Sequence, residues 1–565
     1  MSKTDALLRA NIRKAEKLVA ARRFEEARGI YATLYRQAPR NAEIGFAYAS
    51  LSAQLNFFED AEAAFKALLS WRPEFAEAHF NLARVYQLTG RLPDAADHLR
   101  AHVRLRPQDV NGYTLLGPLL MQLGQAELAA QVCRDGLRLA PDSAELYNNL
   151  GVIELDLKHY DDALACFEKH LQLASPTAGV LSNLGNVYRA LGRLDDAERS
   201  YRQALTLDPA STYALGSLGL HCMRQGDIGQ AITHYDKALA IEPGLAGIRW
   251  NRAHALLLTG RFQEGWRDYE ARFHAAEAMR QFGRRRFAMP RWDGSANRDK
   301  TLLVYAEQGF GDTLQFCRYL AAARQRVGRL VFECPAELHG VLQGVTGVDA
   351  WLTPAQANET AADVDLHVPL LSLPGLFHTD FDHLPADVPY LNADPPRVTQ
   401  WAGRMTAGAL NVGLVWAGRA TNINDPRRSL ALSALAPLGQ VSGVCFYSLQ
   451  KGPAAAEAEQ APPGMHMINL DAQIADFADT AAIMAHLDLV ITVDTAAAHL
   501  AGALARPVWT LIYHPPDWRW FLDWQDSPWY PTMRLFRQSV PGDWAPVIGQ
   551  VAAALQDMAD QRSAG

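Results

Sequence analysis

The sequence predicts an α-solenoid in its first half and a pair of α/β domains in its second. Three observations carry this: a 34-residue period through the first half, a break in that period near residue 276, and strand-length apolar runs alternating with helical segments from about residue 300. A chain of 565 residues holds three to four domains at about 150 residues each. Each is large enough for a core without disulfides or metals.

Periodicity is read first, because a missed repeat misassigns the whole fold. Pro39, Pro73, Pro107, Pro141, Pro209 and Pro243 stand at multiples of 34 residues, and Ser175, beside Pro176, fills the missing step. Twelve residues before each lies a small side chain: Ala27, Ala61, Ala95, Ala129, Ala163, Ala197 and Ala231. Four residues further on stands a bulky or apolar one: Tyr31, Phe65, Leu99, Cys133, Phe167, Tyr201 and Tyr235. Gly117, Gly151, Gly185 and Gly219 keep the same phase. Small residues let two helices approach, aromatics fill the groove of the neighbouring pair, and proline ends the second helix. The pattern resembles the tetratricopeptide repeat over about seven units. An altered eighth unit, from Trp250 to about Ala275, has Gly265 in place of the small Ala and carries Trp250, Trp266 and Tyr269, as a unit docking on something different would.

One helical hairpin cannot bury its own apolar face, so hairpins stack into a superhelix with a concave surface. Such a surface is expected to bind a protein or peptide; a spacer or dimerisation arm is the alternative. Asn81, Asn149, Asn183 and Asn251 recur in the first helices and are the candidate acceptor-binding residues, set to hydrogen-bond an extended backbone. A polar side chain on a helix surface is the plainer reading.

Composition narrows the class. Hydrophobic content of 49% with 20% charged residues is globular and excludes disorder. With 54 basic and 61 acidic residues the net charge is −7, against a nucleic-acid or anionic-membrane footprint. The six cysteines are far apart with no CxxC, so neither a zinc site nor a disulfide framework is expected. The amino terminus is charged throughout, unlike a signal peptide, and no apolar run reaches about 18 residues. The expectation is a soluble, reduced, cytoplasmic protein with no membrane span.

Residues 1–275 are therefore read as the solenoid and 276–299 as a linker, with the run Arg284–Arg285–Arg286 as solvated linker charge. Residues 300–395 form the first α/β domain, with strands at 301–307, 330–334 and 364–370. After a Pro-rich hinge near Pro385–Pro396, residues 396–565 form the second, with strands at 412–418, 443–450, 487–494 and 507–513, and a tail. Buried apolar strands alternating with helices imply parallel sheets covered on both faces. Ligands of such sheets sit beyond the carboxyl ends of the strands.

Each strand end delivers a distinctive group. After the first comes Glu307-Gln308-Gly309-Phe310-Gly311-Asp312, where the glycines allow a tight turn and close ligand approach. Asp312 would face an acceptor hydroxyl, or simply N-cap the helix. Asp494-Thr495 turns into a helix starting near Ala496, whose free N–H groups and small side chains suit a diphosphate. His499 in its first turn would bond a phosphate or sugar, or be a buried structural histidine. Asn424 and Arg428 follow the strand at 412–418, where an arginine could clamp phosphate oxygens. Gln450 and Lys451 end the next strand, where a base, ribose or phosphate would be held. The aromatic clusters Asp517–Trp520 and Ser527–Pro531 could stack a sugar or nucleobase, but most of their tryptophans are read as a clasp pinning a tail across two domains.

Together AEQGFGDTLQFCRYL (306–320), VGLVWAG (412–418), NDPRRS (424–429), SLQKG (448–452), DTAAAHLAGAL (494–504) and DWRWFLDWQDSPWYPTMRLFRQ (517–538) resemble bacterial glycosyltransferases in which tetratricopeptide repeats precede a GT-B catalytic half. These are related to the ADP-heptose:lipopolysaccharide heptosyltransferases and similar in layout to O-GlcNAc transferase. The resemblance implies a pair of Rossmann-type domains, the first on the acceptor side and the second binding the nucleotide sugar. It implies Asp312 as general base, Arg428 on the nucleotide phosphates, and Asp494 and Thr495 at the helix start holding the donor. By their strand-end positions Gly309, Gly311, Asn424, Gln450, Lys451, Ala496 and His499 complete the candidate nucleotide-sugar-binding set. Ala496 stands where heptosyltransferases usually carry Gly, and those enzymes lack the repeats, so neither ADP-heptose nor a lipid acceptor is implied. Repeat-bearing relatives implicated in flagellin glycosylation make a protein hydroxyl, flagellin Ser or Thr among them, the expected acceptor. No Asp-x-Asp pair ends a strand, so no metal and no cofactor is expected. A degenerate, non-catalytic scaffold and a heptosyltransferase acting on a glycolipid remain the alternatives.

Overall fold

The computed structural model describes residues 3–276, 278–279, 285, 287–359, 363–419 and 425–564. The chain forms two compact units, Met1–Ser217 and Leu218–Gly565.

The first unit is built of helical hairpins, from Lys3–Ala20 with Phe24–Gln37 to Ala178–Ala190 with Leu194–Leu207. The second helices stop at Gln37, Trp71, Leu105, Leu139 and Leu207, each two residues before its proline. The residue preceding a proline is pushed out of the α region, which sets that end. The small alanines Ala27, Ala61, Ala95, Ala129, Ala163 and Ala197 are all fully buried. The bulky series packs within its own hairpin as well as against the neighbouring one. A Cβ on Gly185 would lie 2.5 Å from the Tyr201 ring, and one on Gly151 2.9 Å from the Phe167 ring. Each ring covers the glycine of its own hairpin, and Phe167 also shares a core with Val180, Leu184 and Val187 of the next.

In the second unit the last hairpins share one core with the α/β half. The Trp266 indole N–H donates to the Thr379 carbonyl at 3.0 Å, and its ring meets Trp518 edge-on at 5.3 Å. Trp250 packs on Tyr269 at 4.8 Å. The aromatics of the eighth repeat are what tie it to the α/β fold. The compact boundary accordingly falls within the repeats, at Ser217, and not at residue 275.

The first sheet has strands β1 (Asn297–Tyr305), β2 (Val327–Glu333), β3 (Ala350–Leu352) and β4 (Leu366–Pro369), all parallel in the order β3-β2-β1-β4. The second has β5 (Leu410–Val415), β6 (Val444–Ser448), β7 (Met467–Asn469), β8 (Leu489–Val493), β9 (Val508–Ile512), β10 (Asp526–Ser527) and β11 (Tyr530–Arg537). Their order is β10-β11-β9-β8-β5-β6-β7, parallel apart from the β10–β11 pair. β1 begins inside the expected linker. Arg285, read as solvated, instead bonds to the buried Glu333 carboxylate and lies over Tyr305; Arg284 and Arg286 lie outside the described residues. β3, β7, β10 and β11 have no counterpart in the sequence reading. Part of the stretch taken for a clasp is thus a strand. Its aromatics still join the two domains, with Trp529 edge-on to Phe316 at 5.9 Å.

Candidate active site

The carboxyl ends of β1, β8 and β9 converge. After β1, Gly309 caps the helix Phe310–Phe316, and Asp312 accepts the Gly309 N–H at Oδ2, 2.8 Å. After β8, Thr495 caps the helix Ala496–Ala503, accepting the Ala497 N–H. Gly311 lies where these two helix starts touch. A Cβ there would stand 2.8 Å from the His499 ring and 3.6 Å from the Ala496 Cα, so only glycine admits this approach.

Arg519, in the turn after β9, joins the groups. Its Nη2 bonds to Asp312 Oδ1, its Nη1 donates to Asp517 Oδ1 at 2.8 Å and its Nε to Gln315 Oε1 at 2.8 Å. The guanidinium lies 4.3 Å from the centroid of the Trp518 ring. Burial disfavours its charge, yet Asp517 and Asp312 raise its pKa further. Three carboxylates share this setting with different affinities for a proton. Burial pushes Asp312 up. Burial, with Asp517 nearby, pushes Asp494 up to about 6. Asp517 is only partly buried, and the Arg519 guanidinium and its hydrogen bonds hold it below its usual range. Neighbouring titratable groups whose environments drive them apart are what acid–base chemistry needs.

After β5, Arg428 Nη1 donates to the Asp494 carbonyl at 2.8 Å and its Nε to Asp425 at 3.3 Å. A cation therefore stands beside the helix start at Thr495 and Ala496. Asn424 lies outside the described residues. Lys451 is half-exposed and bonds to the Asp471 carboxylate at 2.8 Å and the Ile474 carbonyl at 2.9 Å.

Two expected ligand residues are committed elsewhere. The buried Gln450 accepts the N–H groups of Trp416 and Ala417 at 3.0 and 2.9 Å and donates to the carbonyls of Ala417 and Lys451. It shapes the loop after β5 instead of facing a ligand. His499 is buried, with Nδ1 bonded to the Tyr530 hydroxyl at 3.0 Å and its ring stacked on Trp520. Burial and the nearby Arg519 lower its pKa to about 3. The structural reading of His499 is the one that fits.

Among the repeat asparagines, Asn81 bonds to Ser50 at 3.3 Å, Asn149 to the Thr114 carbonyl at 3.1 Å and Asn183 to Tyr213 at 2.7 Å. These amides tie the first helices of successive hairpins together. Sequence reasoning missed Arg519, Asp517 and Gln315 as site residues. The signal for the first two was an Asp-x-Arg in the loop that follows β9, obscured by the tryptophans around it.

All six cysteines are free thiols. Among the described residues one group with metal-ligand chemistry gathers its donor atoms within 4.8 Å, namely Glu154, His159 and Asp162 in the repeats, where Arg134 also bonds to Glu154. No described helix is long and apolar enough to cross a membrane.

Residues 49–110, 142–210 and 182–246 match tetratricopeptide repeat families. Residues 433–522 match glycosyltransferase family 9 (heptosyltransferase), a span that includes Asp494, Asp517 and Arg519. The chain is 30% identical over 351 residues to Protein FlbA of Caulobacter vibrioides, covering 56% of each protein. The chain thus spans little more than half the length of that curated relative. Similar solved structures include a tetratricopeptide repeat protein from Parabacteroides merdae (15% identity, 44% of this chain and 98% of that one, TM-score 0.38). The Cut9–Hcn1 hetero-tetramer of the APC/C is another (26% identity, 40% and 45%, TM-score 0.35). The fold reading rests on the periodicity, the sheets and the family matches, not on these two likenesses. The chain thus carries tetratricopeptide repeats ahead of a segment, residues 433–522, that is similar to glycosyltransferase family 9 (heptosyltransferase).

Proposed function

We propose that the protein moves a sugar from a nucleotide-sugar donor to a hydroxyl of a protein acceptor recruited by its repeats, flagellin Ser or Thr included. The observation that supports it is the meeting of Asp312, Arg519 and Asp517 beside the helix start at Thr495 that Arg428 flanks. In this scheme Asp312 takes the acceptor hydroxyl proton as that oxygen bonds to the anomeric carbon of the sugar. The bond from that carbon to the donor phosphate breaks, and the nucleotide leaves with the electron pair. Each carboxylate oxygen has two lone pairs, so Asp312 can accept this proton while Gly309 and Arg519 each hold one oxygen. Arg428 and the N–H groups of the helix start stabilise the departing phosphate. The step therefore calls for no metal ion.

The test has two arms. A nucleotide sugar at 100 times its Kd should stabilise the protein by about 2.7 kcal/mol, a clear rise in Tm. Deleting residues 1–217 should abolish modification of a protein acceptor, read by intact-mass spectrometry, while the remaining unit still responds to the donor. If no nucleotide sugar stabilises the chain, the repeat scaffold replaces the enzyme. Unimpaired protein modification after the deletion would leave the repeats as a spacer. Strict dependence of transfer on Mg²⁺ or Mn²⁺ would refute the metal-free step, and sugar found only on a glycolipid would favour the heptosyltransferase reading.

A further inference from the structure

The loop that carries Asp312 is held from the last repeat. Glu307 and Gln308 leave β1 just ahead of Gly309 and Gly311. Two glycines this close give the backbone more freedom than a proton acceptor can use. Every side-chain hydrogen bond that Glu307 and Gln308 make among the described residues goes to Arg272 or Tyr269. Arg272 donates to both Glu307 oxygens, from Nε to Oε2 at 3.0 Å and from Nη2 to Oε1 at 2.7 Å. Gln308 Nε2 donates to the Tyr269 hydroxyl at 3.1 Å. Tyr269 ends the helix Phe262–Tyr269, and Arg272 lies in the turn Glu270–Phe273 that follows. Both belong to the altered eighth repeat. Asn251 of the same repeat borders instead a cavity of about 180 Å³ whose walls include neither of them.

The two holders are themselves fixed. The buried Tyr269 ring packs on Trp250 at 4.8 Å and edge-on to Trp266 at 5.9 Å. Arg272 is buried too, and donates to Glu270 at 2.9 Å and to the Ser372 hydroxyl, just after β4, at 2.7 Å. A two-pronged pairing of arginine with a carboxylate sets orientation as well as distance. Burial pushes the Tyr269 hydroxyl above its usual range, so it keeps its proton and serves as a hydrogen-bond partner, not as a base. Neither residue makes a hydrogen bond to Asp312 among the described residues. Their influence on it runs through the loop.

Building on the transfer reading above, we infer that Tyr269 and Arg272 are positioning residues, which set Asp312 for the proton transfer by clamping Gln308 and Glu307. Misplacing a reacting group by about 1 Å costs about 10²-fold in rate. The last repeat is then part of the catalytic apparatus as well as of the recruiting surface.

The test uses water as the acceptor. The full chain is offered uridine, adenosine and guanosine diphosphate sugars and a cytidine monophosphate sugar, and released nucleotide is read by chromatography. The wild type should hydrolyse the donor that raises its Tm. Tyr269→Phe removes one hydroxyl and keeps the ring, so Tm and donor KM should hold while kcat falls by about tenfold. Arg272→Lys keeps the charge and loses the fork. Its kcat should fall by about tenfold or more at a temperature where it is fully folded, again with donor KM unchanged. If Arg272→Lys does not fold, Tyr269→Phe decides. A packing role alone would lower Tm and leave kcat of the folded protein intact. In an Asp312→Asn background, with no base left to position, Tyr269→Phe should cause no further loss. An unchanged kcat in the variants that fold, a rise in donor KM in its place, or the same loss with Asp312 already replaced overturns the clamp. If no donor raises the Tm, or none is hydrolysed by the wild type, the transfer reading fails first and this inference falls with it.

Discussion

The repeat unit Met1–Ser217 and the α/β half are held together over different distances along the chain. In the repeats, Tyr201 covers Gly185 of its own hairpin, and the ion pairs are mostly short-range and exposed, such as Arg202 with Glu198 four residues away. In the α/β half, Arg519 bonds to Asp312 and Gln315, 207 and 204 residues earlier. A repeat contributes its own stability and that of its neighbouring interfaces. A site assembled from three strand ends exists only when both sheets are in place. Local defects should therefore stay local in the first region and spread in the second.

The largest expected effect tests the assembled site. Asp312→Asn keeps the size but only one acceptor oxygen, so it retains the bond from Gly309 or from Arg519 and not both, and it cannot take a proton. Transfer should fall by about 10²-fold or more, the usual contribution of a general base, while donor-induced stabilisation stays. Turnover at the wild-type rate would remove Asp312 from the chemistry.

A paired substitution sharpens the contrast. Arg519→Met removes the cation from a buried cluster and leaves two carboxylates without their partner; breaking such a pair costs about 3–5 kcal/mol. Arg202→Met removes one member of a surface pair whose side chains are 69% and 42% exposed, and a helix pair of this kind contributes only about 0.3–0.5 kcal/mol. Urea denaturation of the two variants should differ accordingly. Equal costs would mean that the Arg519 cluster is no more integrated than a surface pair.

Asp494 gives an effect with a defined pH window. Its pKa is raised to about 6, so between pH 4 and 6 the unfolded chain loses this proton while the folded one keeps it. Stability from this group therefore falls as pH rises through that range, and the full cost above it is about 3 kcal/mol, at 1.36 kcal/mol per unit. Asp494→Asn lacks that cost. Its unfolding free energy relative to wild type should rise between pH 4 and 6 and level off by about pH 7. His499, held neutral down to about 3, adds a slope of opposite sign in both proteins and cancels in the difference. A difference independent of pH would show that Asp494 ionises normally.

The same contrast explains what was legible in the sequence. The helix ends were written in the prolines and the buried alanines in the period, because both signals act within one hairpin. The Asp312 and Thr495 turns were legible as strand-to-helix motifs. Arg519 was not, since its importance lies in partners more than two hundred residues away, and spacing carries no information about them. β11 was missed because Pro531 at its start reads as a strand breaker, although the strand beyond it pairs with β9. Gln450 and His499 were read as ligand groups for the opposite reason. A strand end attracts polar side chains for backbone clasping as well as for binding, and only the hydrogen bonds distinguish the two.

The smallest effect probes whether the repeat code is as local as it looks. A Cβ on Gly185 would lie 2.5 Å from Tyr201 Cε1 and 2.7 Å from Cδ1. The ring is fully buried and cannot swing away freely, so Gly185→Ala overpacks the hairpin at a cost of about 1–3 kcal/mol. Better helix propensity returns up to about 1 kcal/mol, leaving a net loss of about 0–2 kcal/mol. Tyr201→Leu shortens the side chain and should absorb the new methyl. The double variant is then expected to be more stable than the two single losses predict, with a coupling of about 0.5–3 kcal/mol, the range for residues in contact. Hydrogen exchange should place the loss of protection in Ala178–Leu207 and the hairpins beside it, leaving Lys3–Gln37 unchanged. Additive single effects, or protection lost evenly through Met1–Ser217, would show that the repeats fold as one cooperative body and that the local reading of this region is incomplete.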